Sequence, residues 1–162
     1  MIEMLKGFIT NLGKYNEGFL IGEWIEFPIN EDELEAVFER IGINEQYEEY
    51  FFTDWECPFE TGLGEYESIE SVNELAEELE QADEALVEAI IEATGYDLRV
   101  ALDHTDRAIF YQGMTLEGLA HEYVDMLCLP EIALRYFDYD KYANELEDEG
   151  WQEVSGGVIA VD

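Results

Sequence analysis

The sequence predicts an α+β chain built as three small domains in a row, and three observations carry that reading. Strand-like apolar runs alternate with helix signals that bring their own caps. Between Arg40 and Arg99 lie 58 residues with no lysine or arginine and with 18 Asp or Glu, yet apolar residues recur among them at strand and helix spacing. The whole chain sets 41 acids against 7 bases, a formal net charge of −34 in 162 residues, and self-repulsion of that size works against any compact ball.

Residues 1–60 read as a ββαβ unit. Gly7–Leu12 is a strand candidate, Gly13–Gly18 a turn, and Phe19–Phe27 a returning strand that stops at Pro28. Asn30 with Glu33 is a capping box that opens a helix with Leu34, Val37, Phe38 and Ile41 on one stripe, and Gly42 is its C-terminal stop. Tyr50–Trp55 is the third strand. A loop from Pro58 to Gly64 leads into a central helical domain over 61–103. There Ser71 and Glu74 form a second capping box above Val72, Leu75, Ala76 and Leu79. A further helix runs from Asp83 through Leu86, Val87, Ile90 and Ile91 to Gly95, with one more turn or two over Leu98–Leu102. Residues 104–162 form a C-terminal α+β domain. It comprises a strand at Ala108–Tyr111, a helix capped by Thr115 and ended by Pro130, a helix over Glu131–Tyr136, a helix capped by Asp140, and a closing hairpin across Gln152–Val161.

Composition excludes several classes. High charge with few core formers gives disorder, but 48% of this chain is hydrophobic and 14% aromatic. The aromatic share also argues against simple salt adaptation of the surface. No apolar run approaches the ~20 residues that span a bilayer, and an acidic surface is repelled by anionic lipid, so no membrane partner is expected. Met1–Lys6 carries an acid and no sustained apolar core follows, so no secretory leader is expected. Cys57 and Cys128 lack CxxC spacing and sit in apolar contexts, which reads as reduced structural thiols in a cytoplasmic protein.

Catalytic and metal patterns fail on inspection. Asp138-Tyr139-Asp140 with Glu149 at the twelfth position has Tyr142 and Ala143 where a calcium loop needs an acid and a glycine. His121-Glu122 is followed by Asp125 where HExxH needs histidine. Asp103-His104-Thr105-Asp106 reads as a surface turn, and Gly13–Gly18 lacks the Lys-Ser/Thr of a phosphate loop. The expectation is a non-enzyme with no catalytic residue, cofactor or metal. Nucleic acid is excluded as a partner by the same charge.

What remains is the acidity itself. Glu70, Glu74, Glu77, Glu78, Glu84, Glu88 and Glu92 fall at three- and four-residue spacings opposite the apolar stripes. Two interleaved rows at about 6 Å per four residues place carboxylates every ~3 Å along a helix axis. One DNA strand places a phosphate every ~3.4 Å. At one charge per ~1.7 Å of duplex, the net charge equals roughly 58 Å of DNA. A ball of this length is only about 40 Å across, which predicts an extended or bent rod. The candidate target-binding surface is Glu48, Glu49, Asp54, Glu56, Glu60, Glu65, Glu67, Glu70, Glu74, Glu77, Glu78, Glu80, Asp83, Glu84, Glu88 and Glu92. Such a surface competes with DNA for a basic groove. The alternative is an acidic binding or chaperone protein for basic or other DNA-binding partners, without DNA-like geometry.

One stretch adds a resemblance. Asn11-Leu12-Gly13-Lys14-Tyr15-Asn16-Glu17-Gly18, with Gly22-Glu23-Trp24 and Phe27-Pro28, is similar to the N-terminal signature of ArdA-type antirestriction proteins. Glu48–Asp54, Leu119–Asp125 and Tyr136–Asp140 follow in the family's order. The resemblance implies a cytoplasmic protein of mobile genetic elements, an elongated homodimer with three small domains per chain. It also implies a B-form DNA mimic that occupies the DNA groove in the methyltransferase core of type I restriction-modification enzymes. The family's antirestriction motif maps onto residues 119–129, where Met126-Leu127-Cys128-Leu129 replaces the usual acidic, glycine-containing ending. In the family that region lies near the dimer contact, which makes Leu119, Tyr123 and Leu127 the expected interface.

Overall fold

The computed structural model describes residues 5–162; the start of the chain, read above as lacking a secretory leader, lies outside the described residues at Met1–Met4. The protein is α+β, and its backbone divides into two compact units, Met1–Ala82 and Asp83–Asp162. Among the described residues no helix is long and apolar enough to cross a membrane.

Unit 1 is built on a three-stranded antiparallel sheet of order β2-β1-β3: β1 Lys6–Asn11, β2 Gly22–Glu26 and β3 Tyr50–Glu56. The stretch read as a turn after β1 is a short helix, α1 Leu12–Asn16, because the Asn11 side chain accepts from Lys14 N–H and caps it. The returning strand begins at Gly22, later than Phe19. Helix α2, Glu31–Ile41, has the expected ends: Asn30 accepts from Glu33 N–H at 2.8 Å, and Gly42 closes it at φ 82°. Ile9, Ile25, Phe27, Val37, Ile41 and Phe52 form the core. Gly7 is required there, since a Cβ would stand 2.7 Å from the Trp55 ring. Helix α3, Ile69–Gln81, begins one turn before the expected cap, with Ser68 accepting from Ser71 N–H. Asn73 ties it to the unit: Ile29 N–H donates to Asn73 Oδ1 at 2.8 Å, and Asn73 Nδ2 donates back to Ile29 O at 3.0 Å.

Unit 2 holds a second antiparallel sheet of order β4-β6-β5: β4 Ala108–Gln112, β5 Trp151–Val154 and β6 Gly157–Val161. The helices are α4 Glu84–Thr94, α5 Leu98–Asp103, α6 Leu116–Met126, α7 Glu131–Arg135 and α8 Tyr139–Asp148. Central strand β6 is buried on both faces. Val158 joins Leu119, Ala120, Ala143, Leu146 and Trp151 in the core under α6 and α8. Alternation turns the neighbouring Ile159 to the opposite face, where α4 packs on the sheet. Asp83 and Gly95 cap α4 and Thr115 caps α6 as read; α8 is capped by Asp138 rather than Asp140. Of the helices in the expected central domain over 61–103, α3 lies in unit 1 and α4 and α5 lie in unit 2.

The cysteines are both free. Cys57 is half-buried, and burial pushes its thiol pKa up. Cys128, expected from its apolar sequence context to be a structural thiol, is exposed, at φ 52° just after α6.

Candidate acidic recognition surface

In α3 the acidic face follows from helix geometry. At about 100° per residue, Glu70, Glu74, Glu77, Glu78 and Glu80 occupy an arc of roughly 160°. Val72, Leu75, Ala76 and Leu79 fill the opposite side and are buried. All five glutamates are exposed. In α4, Glu84, Glu88 and Glu92 recur at four-residue spacing away from buried Val87 and Ile90.

Of the sixteen carboxylates singled out in the sequence, all but Glu67 and Glu84, which are half-buried, are exposed. Several also have local structural work. Asp83 caps α4 through Ala85 and Leu86 N–H. Glu67 accepts from Gly64 N–H at 3.1 Å, which shapes the loop after β3. In that loop Trp55 Nε1 donates to Gly64 O and Phe52 N–H donates to Glu65 O, so the free edge of β3 is covered. Asp54, Glu60 and Glu65 line an open groove of about 410 Å³ beside Trp55; Glu48 and Glu49 line another of about 290 Å³ with Tyr47. Glu92 is a brace: its carboxylate accepts from Ser155 N–H at 3.0 Å and from Ser155 Oγ at 2.9 Å, which fixes α4 to the β5–β6 turn.

Four ion pairs among the described residues draw on other acids. Lys6–Glu26, Lys14–Glu17, Arg40–Glu23 and Arg135–Glu131 all use acids outside the base-free stretch. The Arg40–Glu23 pair is the tightest, with Nη2–Oε1 at 2.6 Å and Nε 3.1 Å from both carboxylate oxygens, and it raises the Arg40 pKa. Both histidines have structural settings. His121 stacks on Tyr139 at 3.7 Å, and His104 Nδ1 lies 2.8 Å from Val100 O with its ring against Tyr96.

The three expected interface residues are placed differently from one another. Leu119 is 1% exposed in the unit 2 core and has no surface to offer a partner. Tyr123 packs against the same core, its ring edge-on to Trp151. Burial first, then Tyr111 beside it, raises its pKa. Only Leu127, 59% exposed beside exposed Met126, presents apolar surface.

Exposed acids also continue outside the chosen stretch. Glu31, Asp32, Glu33, Glu35 and Glu39 line the outer side of α2, and Glu145, Glu147 and Asp148 that of α8. Their three- and four-residue spacing is the same signal. They were outside a surface defined by the absence of bases, since Arg40 and Lys141 stand among them.

A family model described as antirestriction protein (ArdA) matches residues 8–160. No curated protein matches the chain.

Proposed function

This chain belongs to the ArdA family of antirestriction proteins, and from that premise we propose that it is a mimic of B-form DNA that occupies the DNA groove in the methyltransferase core of a type I restriction-modification enzyme. The observation that carries the reading is the exposed glutamate face of α3, five carboxylates with no base in their own stretch of sequence. Lys and Arg that neutralise phosphates supply much of a DNA-binding enzyme's affinity. Carboxylates offered to the same cations compete without any dependence on DNA sequence, and the complex weakens steeply as salt rises. The inhibitor acts in the cytoplasm as a homodimer of elongated three-module chains, paired through Leu127 and the exposed residues around it.

The experiment is competition for DNA binding by a purified type I methyltransferase. Stoichiometric protein should displace DNA at low salt and lose that power at high salt. Glu70, Glu74, Glu77 and Glu78 changed together to Gln should weaken displacement, while each single change does little because the charge is distributed. No displacement at low salt would sink the proposal. Loss of activity from one single change would point instead to a localised site.

A further inference from the structure

The strand register of unit 1 sorts its sheet into two faces. Ile9, Ile25 and Phe52 are buried in the core on one. Alternation turns Lys6, Phe8 and Thr10 to the other. One end of that second face is closed. Thr10 and its partner Phe51 are buried there, with Tyr66 stacked on the Phe51 ring at 6.1 Å and Tyr15 edge-on to it at 5.1 Å. At the other end Phe8 stands between Trp24 on β2 and Asp54 on β3, and Lys6 between Glu26 and Glu56. The Phe8 and Trp24 rings meet edge-on at 5.4 Å, and Trp24 is 44% exposed. Glu26, Asp54 and Glu56 are exposed as well. Lys6 Nζ lies 3.9 Å from Glu26, so acids outnumber bases around this ring pair.

Charge complementarity selects the occupant of an exposed aromatic pair set among carboxylates. A nucleic acid, an anionic membrane or another chain of charge −34 is repelled. A neutral apolar partner would dehydrate the acids and offer them nothing in return. A cationic side chain gains from both parts of the surface. Arginine fits it better than lysine: the planar guanidinium stacks on an indole while its N–H groups donate to a carboxylate, whereas an ammonium is a strongly hydrated point charge. The spacing permits both contacts at once. Trp24 and Asp54 lie two strand spacings apart, about 10 Å, with Phe8 between them. A guanidinium laid over the ring pair faces Asp54 to one side, with Glu26 and Glu56 about 7 Å along the strands.

We propose that this end of the sheet binds arginine side chains of a basic protein partner, stacked on Trp24 and held by Asp54. For the identity of the partner the inference rests on the reading above: the arginines are those of the methyltransferase groove that otherwise meet DNA phosphates. The chemistry of the face is independent of it. A phosphate offers an arginine charge but no ring. The contact therefore adds a share of affinity that the phosphate backbone does not supply, and one that salt screens less than it screens the exposed carboxylates of α3.

Indole N–H NMR of the full chain reads the face directly, with hexa-arginine and hexa-lysine as probes. The Trp24 signal, identified by its loss in Trp24→Leu, should reach its midpoint at roughly fivefold lower concentration of hexa-arginine than of hexa-lysine. Asp54→Asn, an exposed change of equal size, should raise the hexa-arginine midpoint. In displacement of DNA from the methyltransferase, Trp24→Leu should need about five- to thirtyfold more protein than wild type, with circular dichroism unchanged. Trp24→Phe, which keeps a ring, should recover most of the loss. A Trp24 signal that ignores hexa-arginine, or that answers both peptides alike, would overturn the proposal whatever the target. Trp24→Leu protein that displaces DNA as well as wild type does would overturn the part assigned to this face in the complex. Wild-type protein that displaces no DNA while its Trp24 signal still prefers hexa-arginine supports the arginine face and sinks the target reading alone.

Discussion

Replacing Glu74 by Gln should make unit 1 more stable. Glu74 sits mid-way along α3, exposed, four residues from Glu70, three from Glu77 and four from Glu78. Like charges at these spacings cost about 0.2–0.5 kcal/mol per pair, so three relieved repulsions amount to about 1 kcal/mol. Gln and Glu have nearly equal helix propensity, and Ser68 supplies the cap, so neither effect confounds the comparison. The Asn73–Ile29 clasp next door is untouched. Amide hydrogen exchange along α3 reads the change directly: about 1 kcal/mol is roughly fivefold more protection at low salt, and the gain should shrink near 1 M salt. Unchanged or reduced protection at low salt, or a gain that salt leaves intact, would refute the claim that the acidic face strains its own helix.

Asn73→Ala should destabilise unit 1 by about 2–4 kcal/mol, since it strands both backbone groups of buried Ile29; the urea midpoint measures this, and a shift under about 0.5 kcal/mol would show that water or neighbours replace the clasp. Tyr123 should contribute an alkaline limb to the stability of unit 2. Its folded pKa is raised above the ordinary 10.0, so the unfolded phenol ionises first, and stability present below that value is lost as pH rises through it. Tyr123→Phe should flatten that limb in a series of unfolding curves at alkaline pH.

Much of the helix layout in both units is legible because its signals are local. Asn30, Asp83 and Thr115 cap helices with their own side chains, and Gly42 and Gly95 end helices in the left-handed conformation that favours glycine. Ser71 with Glu74 was as good a local signal as Ser68. The extra turn at Ile69 goes with Ser68, whose side chain accepts from Ser71 N–H and takes the cap. The place of α4 was illegible for a non-local reason. Its partner is a sheet whose strands lie up to 77 residues further along the chain, and a stripe of Val87 and Ile90 looks the same whether it covers a helix or a sheet. Leu119 illustrates the matching difficulty for the candidate site. Periodicity marks a buried face but not whose surface buries it, and here the unit buries it in its own core. Exposure of the acids, by contrast, followed directly from their phase relative to the leucines.

The separation of charge from core explains how a chain of −34 can fold at all. The buried polar residues are Thr10 and Asn11 alone among those described, and Asn11 is satisfied by Ile41 O and Lys14 N–H. No described buried side-chain polar atom lacks a partner. The electrostatic strain is therefore a surface quantity, sensitive to salt and divisible among many exposed groups, while each unit's core stays apolar. Such a surface can be rewritten glutamate by glutamate without refolding the protein beneath it. A basic partner that covers the α3 face would relieve the same repulsion that Glu74→Gln relieves, so binding and folding should reinforce each other most strongly at low salt. If the glutamine variants gain stability but show less added protection of α3 than wild type when the methyltransferase proposed as target is present, the strain and the recognition reside in the same carboxylates.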